Sequence, residues 1–152
     1  MKTIPLTRGQ EALVDDGDFT ELSKHKWSAL KKPHGWYAVR ASDNKYLYMH
    51  RIIMEAQPGQ EIDHHDADGL NNQRSNLRFA TSGQNKANMR PFPGGTSRYK
   101  GVHRHSQTGR WVAQFGRVDR YIGCFDTEEA AAAAYLAVAQ DRYGEFARGG
   151  RA

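Results

Sequence analysis

Glu61-Ile-Asp-His-His-Asp-Ala-Asp-Gly-Leu-Asn-Asn-Gln-Arg-Ser-Asn-Leu-Arg-Phe-Ala-Thr-Ser-Gly-Gln-Asn-Lys-Ala-Asn88 is the stretch on which the reading of this chain turns. It is dense in carboxylates, imidazoles and carboxamides, with Ile62, Leu70, Leu77 and Phe79 spaced to anchor a compact hairpin. Ile62–Asp66 reads as a strand, Gly69–Asn72 as a turn and Asn76–Ala80 as the returning strand. Thr81 or Ser82 caps a short helix that runs through Asn88. On a regular strand Asp63 and His64 point to opposite sides. Composition alone leaves a bland alternative standing, a polar loop on a small core with His64 and His65 merely solvated. A structural zinc site from His50, His64, His65 and an aspartate lacks a cysteine ligand and fits no standard spacing.

Upstream of this stretch, Trp27–Leu30, Trp36–Arg40 and Tyr46–His50 are short and aromatic-rich, separated by Pro33-His34-Gly35 and Asp43-Asn44. They read as a three-stranded antiparallel meander. Asp15-Asp16-Gly17-Asp18 is expected to be a solvated turn; it lacks the later ligands of a calcium loop.

Downstream, Met89-Arg-Pro-Phe-Pro-Gly-Gly-Thr-Ser97 holds two prolines and two glycines and breaks the chain. Residues 1–90 are therefore expected to form one domain, 91–97 a linker, and 98–147 a second domain. Tyr99–Arg104, Arg110–Phe115 and Arg120–Phe125 are three further strand candidates, joined by turns at Ser106–Gly109 and Gly116–Asp119. Thr127 reads as the N-cap of an alanine-rich helix to Tyr143, with Glu128 and Glu129 in its first turn and Gly144 as its stop. Ala130, Ala134, Ala137 and Val138 are expected to form its packing face. The fold class is α+β.

The 152 residues carry 22 Lys+Arg against 17 Asp+Glu, a formal charge of +5. Most of that excess is local. Arg98 to Arg120 holds six basic residues and one acid, whereas Tyr121 to Glu145 holds one base and five acids. The second domain thus pairs a basic sheet with an acidic helix, the footprint of a nucleic-acid binder, against the alternative of a small unit that binds an acidic protein partner. No apolar run is long enough to cross a membrane and no secretory h-region opens the chain, so a cytoplasmic location is expected. The single cysteine, Cys124, supports neither an internal disulfide nor a Cys-based zinc site.

The pattern Asp63-His64, Asn76-Leu77 and Asn85 resembles the HNH (ββα-metal) endonuclease family in its variant with asparagine at the last position. Asn76 lies thirteen positions after Asp63 and Asn85 nine positions after Asn76, intervals that suit the family. Met49-His50-Arg51-Ile52-Ile53 resembles the segment that leads into such a motif. His65 departs from the pattern and leaves open which histidine of the pair faces the cleft, and whether His65 or His50 assists His64. The resemblance implies a ββα-metal fold and phosphodiester hydrolysis. His64 would take the proton of the attacking water, and Asn76 would hold the loop that orients it. Asp63 and Asn85 would offer hard oxygen donors to Mg²⁺ or Mn²⁺. Arg51, Arg74 and Arg78 are candidate phosphate contacts.

Ser97-Arg-Tyr-Lys-Gly-Val-His-Arg104, Gly109-Arg-Trp-Val-Ala-Gln114, Tyr121-Ile-Gly-Cys-Phe-Asp-Thr-Glu-Glu-Ala-Ala131 and Tyr143-Gly-Glu-Phe-Ala147 together resemble the Apetala/ethylene-response-factor DNA-binding domain. In that family a three-stranded sheet enters the major groove, which is wide enough for a β-ribbon. The resemblance implies that Lys100, His103, His105, Arg110, Gln114 and Tyr121 face DNA, with Arg104 and Arg117 near phosphates and Trp111, Ala113, Phe115 and Ile122 in the core. Histidines stand at two places where the plant proteins usually carry arginine, so their base preference does not transfer.

The combined expectation is a homing-type HNH endonuclease acting on double-stranded DNA, as monomer or homodimer. It would nick one strand per active site and be brought to its target by the C-terminal domain. The alternative is a DNA-binding regulator whose nuclease fold is inactive.

Overall fold

The computed structural model describes residues 1–43, 45–91, 94–116 and 121–150. The chain divides into two compact units, residues 1–85 and 86–152.

In the first unit, β1 (Lys2–Pro5) and β2 (Glu11–Val14) form an antiparallel hairpin, with Ile4 opposite Ala12. Helix α1 (Asp16–Leu22) follows at once. β3 (Ser28–Lys32), β4 (Gly35–Ser42) and β5 (Lys45–Tyr48) make the antiparallel meander in the order β3-β4-β5. The third strand ends at Tyr48, and Met49–Ile53 is a short helix, α2, where the strand was expected to continue through His50. Helix wins there because Met49 and Ile53, four apart, bury together at 0% and 3% exposure. β6 (Glu61–His64) pairs antiparallel with β7 (Leu77–Ala80), and α3 (Ser82–Asn88) follows. Ile4, Ala12, Val14, Leu22, Trp27, Ala38, Met49, Ile53, Ile62 and Leu77 form one core, drawing an apolar residue from nearly every element of the unit.

Asp15-Asp16-Gly17-Asp18 is not a solvated turn. Asp15 is the N-cap residue of α1, and Asp16 and Asp18 sit in its first turn, where acids favour the helix dipole. The run also clasps a distant segment. The Asp15 carboxylate accepts hydrogen bonds from the Arg74 amide (2.8 Å) and the Gln73 side chain (3.2 Å), and Asp18 takes a two-pronged pair from the Arg74 guanidinium (2.8 and 2.9 Å). Those partners lie more than fifty positions away, out of reach of local pattern reading.

In the second unit β8 (Val102–Arg104), β9 (Trp111–Gln114) and β10 (Tyr121–Phe125) form an antiparallel sheet in the order β10-β9-β8. Helix α4 (Glu128–Tyr143) packs on it. The Thr127 hydroxyl accepts the Ala130 amide hydrogen at 3.2 Å, the N-cap expected there. The packing face of α4 is Ala131, Ala132, Tyr135 and Ala139; Val138 is 38% exposed. The expected face was rotated because a run of alanines carries no hydrophobic asymmetry, and Tyr135 sets the orientation instead. A Cβ at Gly101 would lie 2.2 Å from the Tyr135 ring, and its φ of +68° is left-handed, so glycine is required there twice over.

The described residues therefore form an α+β fold with four α-helices and small antiparallel sheets. Among the described residues, no helix is long and apolar enough to cross a membrane.

Candidate functional site

β6 sends Ile62 and His64 to one side and Asp63 to the other. His64 is only 6% exposed and lies in a nest of rings. Its imidazole is 4.9 Å, centroid to centroid, from that of His50 on α2, at an interplanar angle of 83°. Tyr37 of β4 is 5.9 Å from His64 and 6.0 Å from His50, and Tyr48 of β5 is 5.4 Å from His50. The register explains the nest: Val39 opposes Tyr48, so Tyr37 and Tyr48 are diagonal neighbours on one face of the meander. Gly69 admits Tyr37 to this position. A Cβ there would sit 2.4 Å from the Trp36 carbonyl oxygen and 2.6 Å from the Tyr37 ring. His65, by contrast, is exposed, and its amide bonds the Asn76 carbonyl at 2.8 Å. Of the adjacent histidines, His64 is the one turned inward.

Burial lowers the His64 pKa, against an Asn72 hydrogen bond and the nearby carboxylates of Asp66, Asp63 and Asp68, which raise it. The imidazole is thus a neutral proton acceptor at physiological pH. Burial, then His64 and Arg51, pushes His50 down to about 3. Tyr37 is raised by burial and by Tyr48, Asp63 and Asp68.

Asn76, 8% exposed, staples the loop between β6 and β7. Its Oδ1 accepts the Asp66 amide (3.0 Å), and its Nδ2 donates to Asp66 Oδ1 (3.0 Å) and to the Asn71 carbonyl (2.8 Å). Burial alone would raise the Asp66 pKa; hydrogen bonds from the Asp68 amide, Asn71 and Asn76 outweigh it and lower it. The same loop is tied to β2, since Leu13 bonds Leu70 and Asn72 through its amide and carbonyl, both at 2.8 Å.

On the opposite face of β6, Asp63 stands across from Arg78 in register, and Oδ2 meets Arg78 Nε at 2.9 Å with only 5% of the Asp63 side chain exposed. Asn85 of α3 turns its Nδ2 to Glu61 Oε2 (3.1 Å) and to the Ile62 carbonyl (3.5 Å), which leaves its amide oxygen as the donor atom for another ligand. Among the described residues, no three His, Cys, Asp or Glu side chains converge as a metal cluster. One carboxylate with one carboxamide oxygen suits a hard cation that keeps most of its water, in contrast to a closed zinc cage. In donor chemistry Asp63 and Asn85 therefore fit Mg²⁺ or Mn²⁺.

Two of the expected phosphate contacts are committed within the fold. Arg51 donates to the carbonyls of Gln60, Gln57 and Ala56, bracing the segment between α2 and β6, and Arg74 is held by Asp18. Arg78 is the partner of Asp63.

In the second unit, the register sets His103 and Cys124 on either side of Val112, and Tyr121 beside Gln114. His103, Gln114 and Tyr121, the last 65% exposed, thereby share the sheet face opposite Ala113, which packs toward α4. Arg104 Nε bonds the Gly109 carbonyl and His105 Nδ1 accepts the Thr108 amide, so both shape the turn between β8 and β9. Lys100 points elsewhere. Its ammonium donates to the carbonyls of Lys86, Ala87 (2.8 Å) and Met89 (3.1 Å) at the end of α3, where cations cap exposed carbonyls. Burial, with Arg148 adding repulsion, takes its pKa down to about 8. The two signs of charge are also stitched together, Arg98 to Glu129 and Arg110 to Asp126, each at 2.9 Å. Arg117 lies outside the described residues.

Sequence reasoning did not assign Tyr37, Tyr48 and Asn72 to the site, and left the part of His50 open. The alternation of aromatics in β4 and β5 was a usable signal for the two tyrosines; nothing local marks Asn72.

The chain is 33% identical over 144 residues to an uncharacterized HNH endonuclease of Acanthamoeba polyphaga mimivirus, covering 86% of this chain and 74% of that one. It belongs to the HNH endonuclease family. It is also 56% identical over 48 residues to an AP2-like ethylene-responsive transcription factor of Arabidopsis thaliana, covering 29% of this chain and 8% of the factor. A second ethylene-responsive transcription factor of that plant is 26% identical over 140 residues, covering 75% of this chain and 33% of its own length. The chain thus spans a third or less of these plant relatives. No family model and no solved structure matches it.

Proposed function

We propose that the protein is a metal-dependent DNA endonuclease of the HNH type, built on a ββα-metal hairpin and helix. The observation that carries this reading is the position of His64. It is an inward-facing imidazole kept neutral by burial, next along β6 to Asp63, which faces the other side of the strand. His64 takes the proton of the attacking water. Asn76 holds the β6–β7 loop through Asp66 and Asn71, and so keeps His64 at a fixed height above the strand. Asp63 and Asn85 would hold a divalent cation, which when bound supplies charge neutralisation at the scissile phosphate and at the leaving oxygen. Arg78 holds the Asp63 carboxylate in place and offsets its charge.

The C-terminal sheet targets the nuclease to duplex DNA through the face bearing His103, Gln114 and Tyr121. Arg104 and Arg110 contribute phosphate contacts at its margins with the guanidinium nitrogens that Gly109 and Asp126 leave over, and Arg117, outside the described residues, is expected to add another. One such site per chain cuts one strand, so the product is a nick.

The test is supercoiled plasmid incubated with Mg²⁺ or Mn²⁺, comparing the full chain with His64→Ala. Open-circle product from the first and none from the second is expected. Equal cleavage by both overturns the reading, and retention of intact DNA without cleavage identifies a DNA-binding protein with a silent nuclease fold.

A further inference from the structure

We propose that His50 is a positioning residue for His64, a flat aromatic wall that holds the His64 imidazole in one plane. The proposal rests on the reading of His64 as general base, and goes beyond it by assigning a second group that aims it, beside the Asn72 hydrogen bond. Two perpendicular rings at 4.9 Å are in the range where edge-to-face packing is favourable. Tyr37 closes a second side of His64 at 68°, so rotation of the imidazole about its own bond drives it into one ring or the other. His50 is itself packed in. It sits on α2 between the fully buried Met49 and the core residue Ile53, and is 8% exposed, with Tyr48 against its far side. Among the described residues, its Nδ1 has no hydrogen-bond partner. What Nδ1 offers in this fold is therefore no hydrogen bond, and what the ring presents to His64 is its shape. A general base works only while the correct nitrogen is aimed, and loss of aim by about 1 Å costs on the order of a hundredfold in rate.

The experiment compares His50→Phe and His50→Ala in the full chain, reading plasmid nicking and, without DNA or metal, the ¹⁵N-histidine ring spectrum of His64. His50→Phe keeps the wall and is expected to leave kcat within about threefold of wild type, with His64 in one tautomer. His50→Ala is expected to lower kcat by about ten- to a hundredfold with KM unchanged, and to average the His64 ring signals. Urea midpoints confirm that both variants are folded; if His50→Ala does not fold, His50→Leu, which fills the space without a flat face, replaces it with the same expectation. A folded His50→Ala with wild-type kcat overturns the proposal. So does an effect on KM alone, or His50→Phe as slow as His50→Ala, which would give the role to a nitrogen. The ring spectrum is independent of cleavage: averaged signals in His50→Ala support the wall even if His64→Ala proves active and the endonuclease reading falls.

Discussion

Acid sensitivity of the first unit follows directly from the burial of His50. In the unfolded chain this imidazole titrates near the ordinary value of 6.5; in the fold burial holds it down to about 3. Below pH 6.5 the unfolded state takes up a proton that the native state refuses, so stability falls as pH falls and is fully present only above that value. The linkage amounts to about 2 kcal/mol by pH 5 and about 3 kcal/mol by pH 4. His64 is lowered as well and contributes with the same sign. Phenylalanine at position 50 fills the site without a titrating group, so the difference between wild type and His50→Phe isolates the term. The assay is urea unfolding followed by tryptophan fluorescence, with Trp27 and Trp36 reporting on this unit, at about pH 7.5, 6, 5 and 4.5. Keeping above pH 4.5 leaves out Asp66, whose lowered carboxyl loses its stabilisation only below the ordinary carboxylate range. Wild type should lose about 2 kcal/mol more than the variant between pH 7.5 and 5. Parallel curves would refute the desolvation argument.

Gly69→Ala forces its Cβ onto the Trp36 carbonyl and the Tyr37 ring; we expect about 1–3 kcal/mol of destabilisation by urea and slower nicking, with KM unchanged. Asp63→Ala and Arg78→Ala each remove one partner of a pair in which Asp63 is buried and Arg78 half-buried, and should cost about 3–5 kcal/mol, while the double variant should recover about 1–3 kcal/mol of the sum. Coupling near zero in that cycle would show the pair to be energetically idle. Lys100→Ala should leave the slope of log affinity against log salt unchanged in fluorescence anisotropy with duplex DNA, because its ammonium is spent on the end of α3; a slope reduced by about 1 would restore it as a phosphate contact. Thr127→Ala should remove about 1 kcal/mol from the second unit by loss of the N-cap.

Much of the architecture was legible in the chain because it is encoded at short range. Alternating apolar residues, turn formers and a capped alanine run specify the meander, the β6–β7 hairpin, the second sheet and α4 to within three residues at each end. The spacing of Asp63, His64, Asn76 and Asn85 marked the motif as well. Where local pattern carried no asymmetry, reading failed: the polyalanine face of α4 turned out rotated, and the Asp15–Asp18 run became a helix start that grips Arg74.

The order of strands, the split into a carboxamide-rich first unit and a basic second one, and the residue types of the proposed hydrolytic site are thus properties of the sequence alone. The tertiary structure decided which of those groups are enclosed together and which are tied up within the fold. It chose His64 over His65 for the interior, enclosed it with Tyr37 and His50 from two other elements, and tied Arg51, Arg74 and Lys100 to carbonyls and an aspartate of the chain itself. The reason is physical. A charge count records how many cations a segment holds, but whether a given cation meets DNA depends on the carbonyls and carboxylates that folding brings within 3 Å, and those lie far away along the chain.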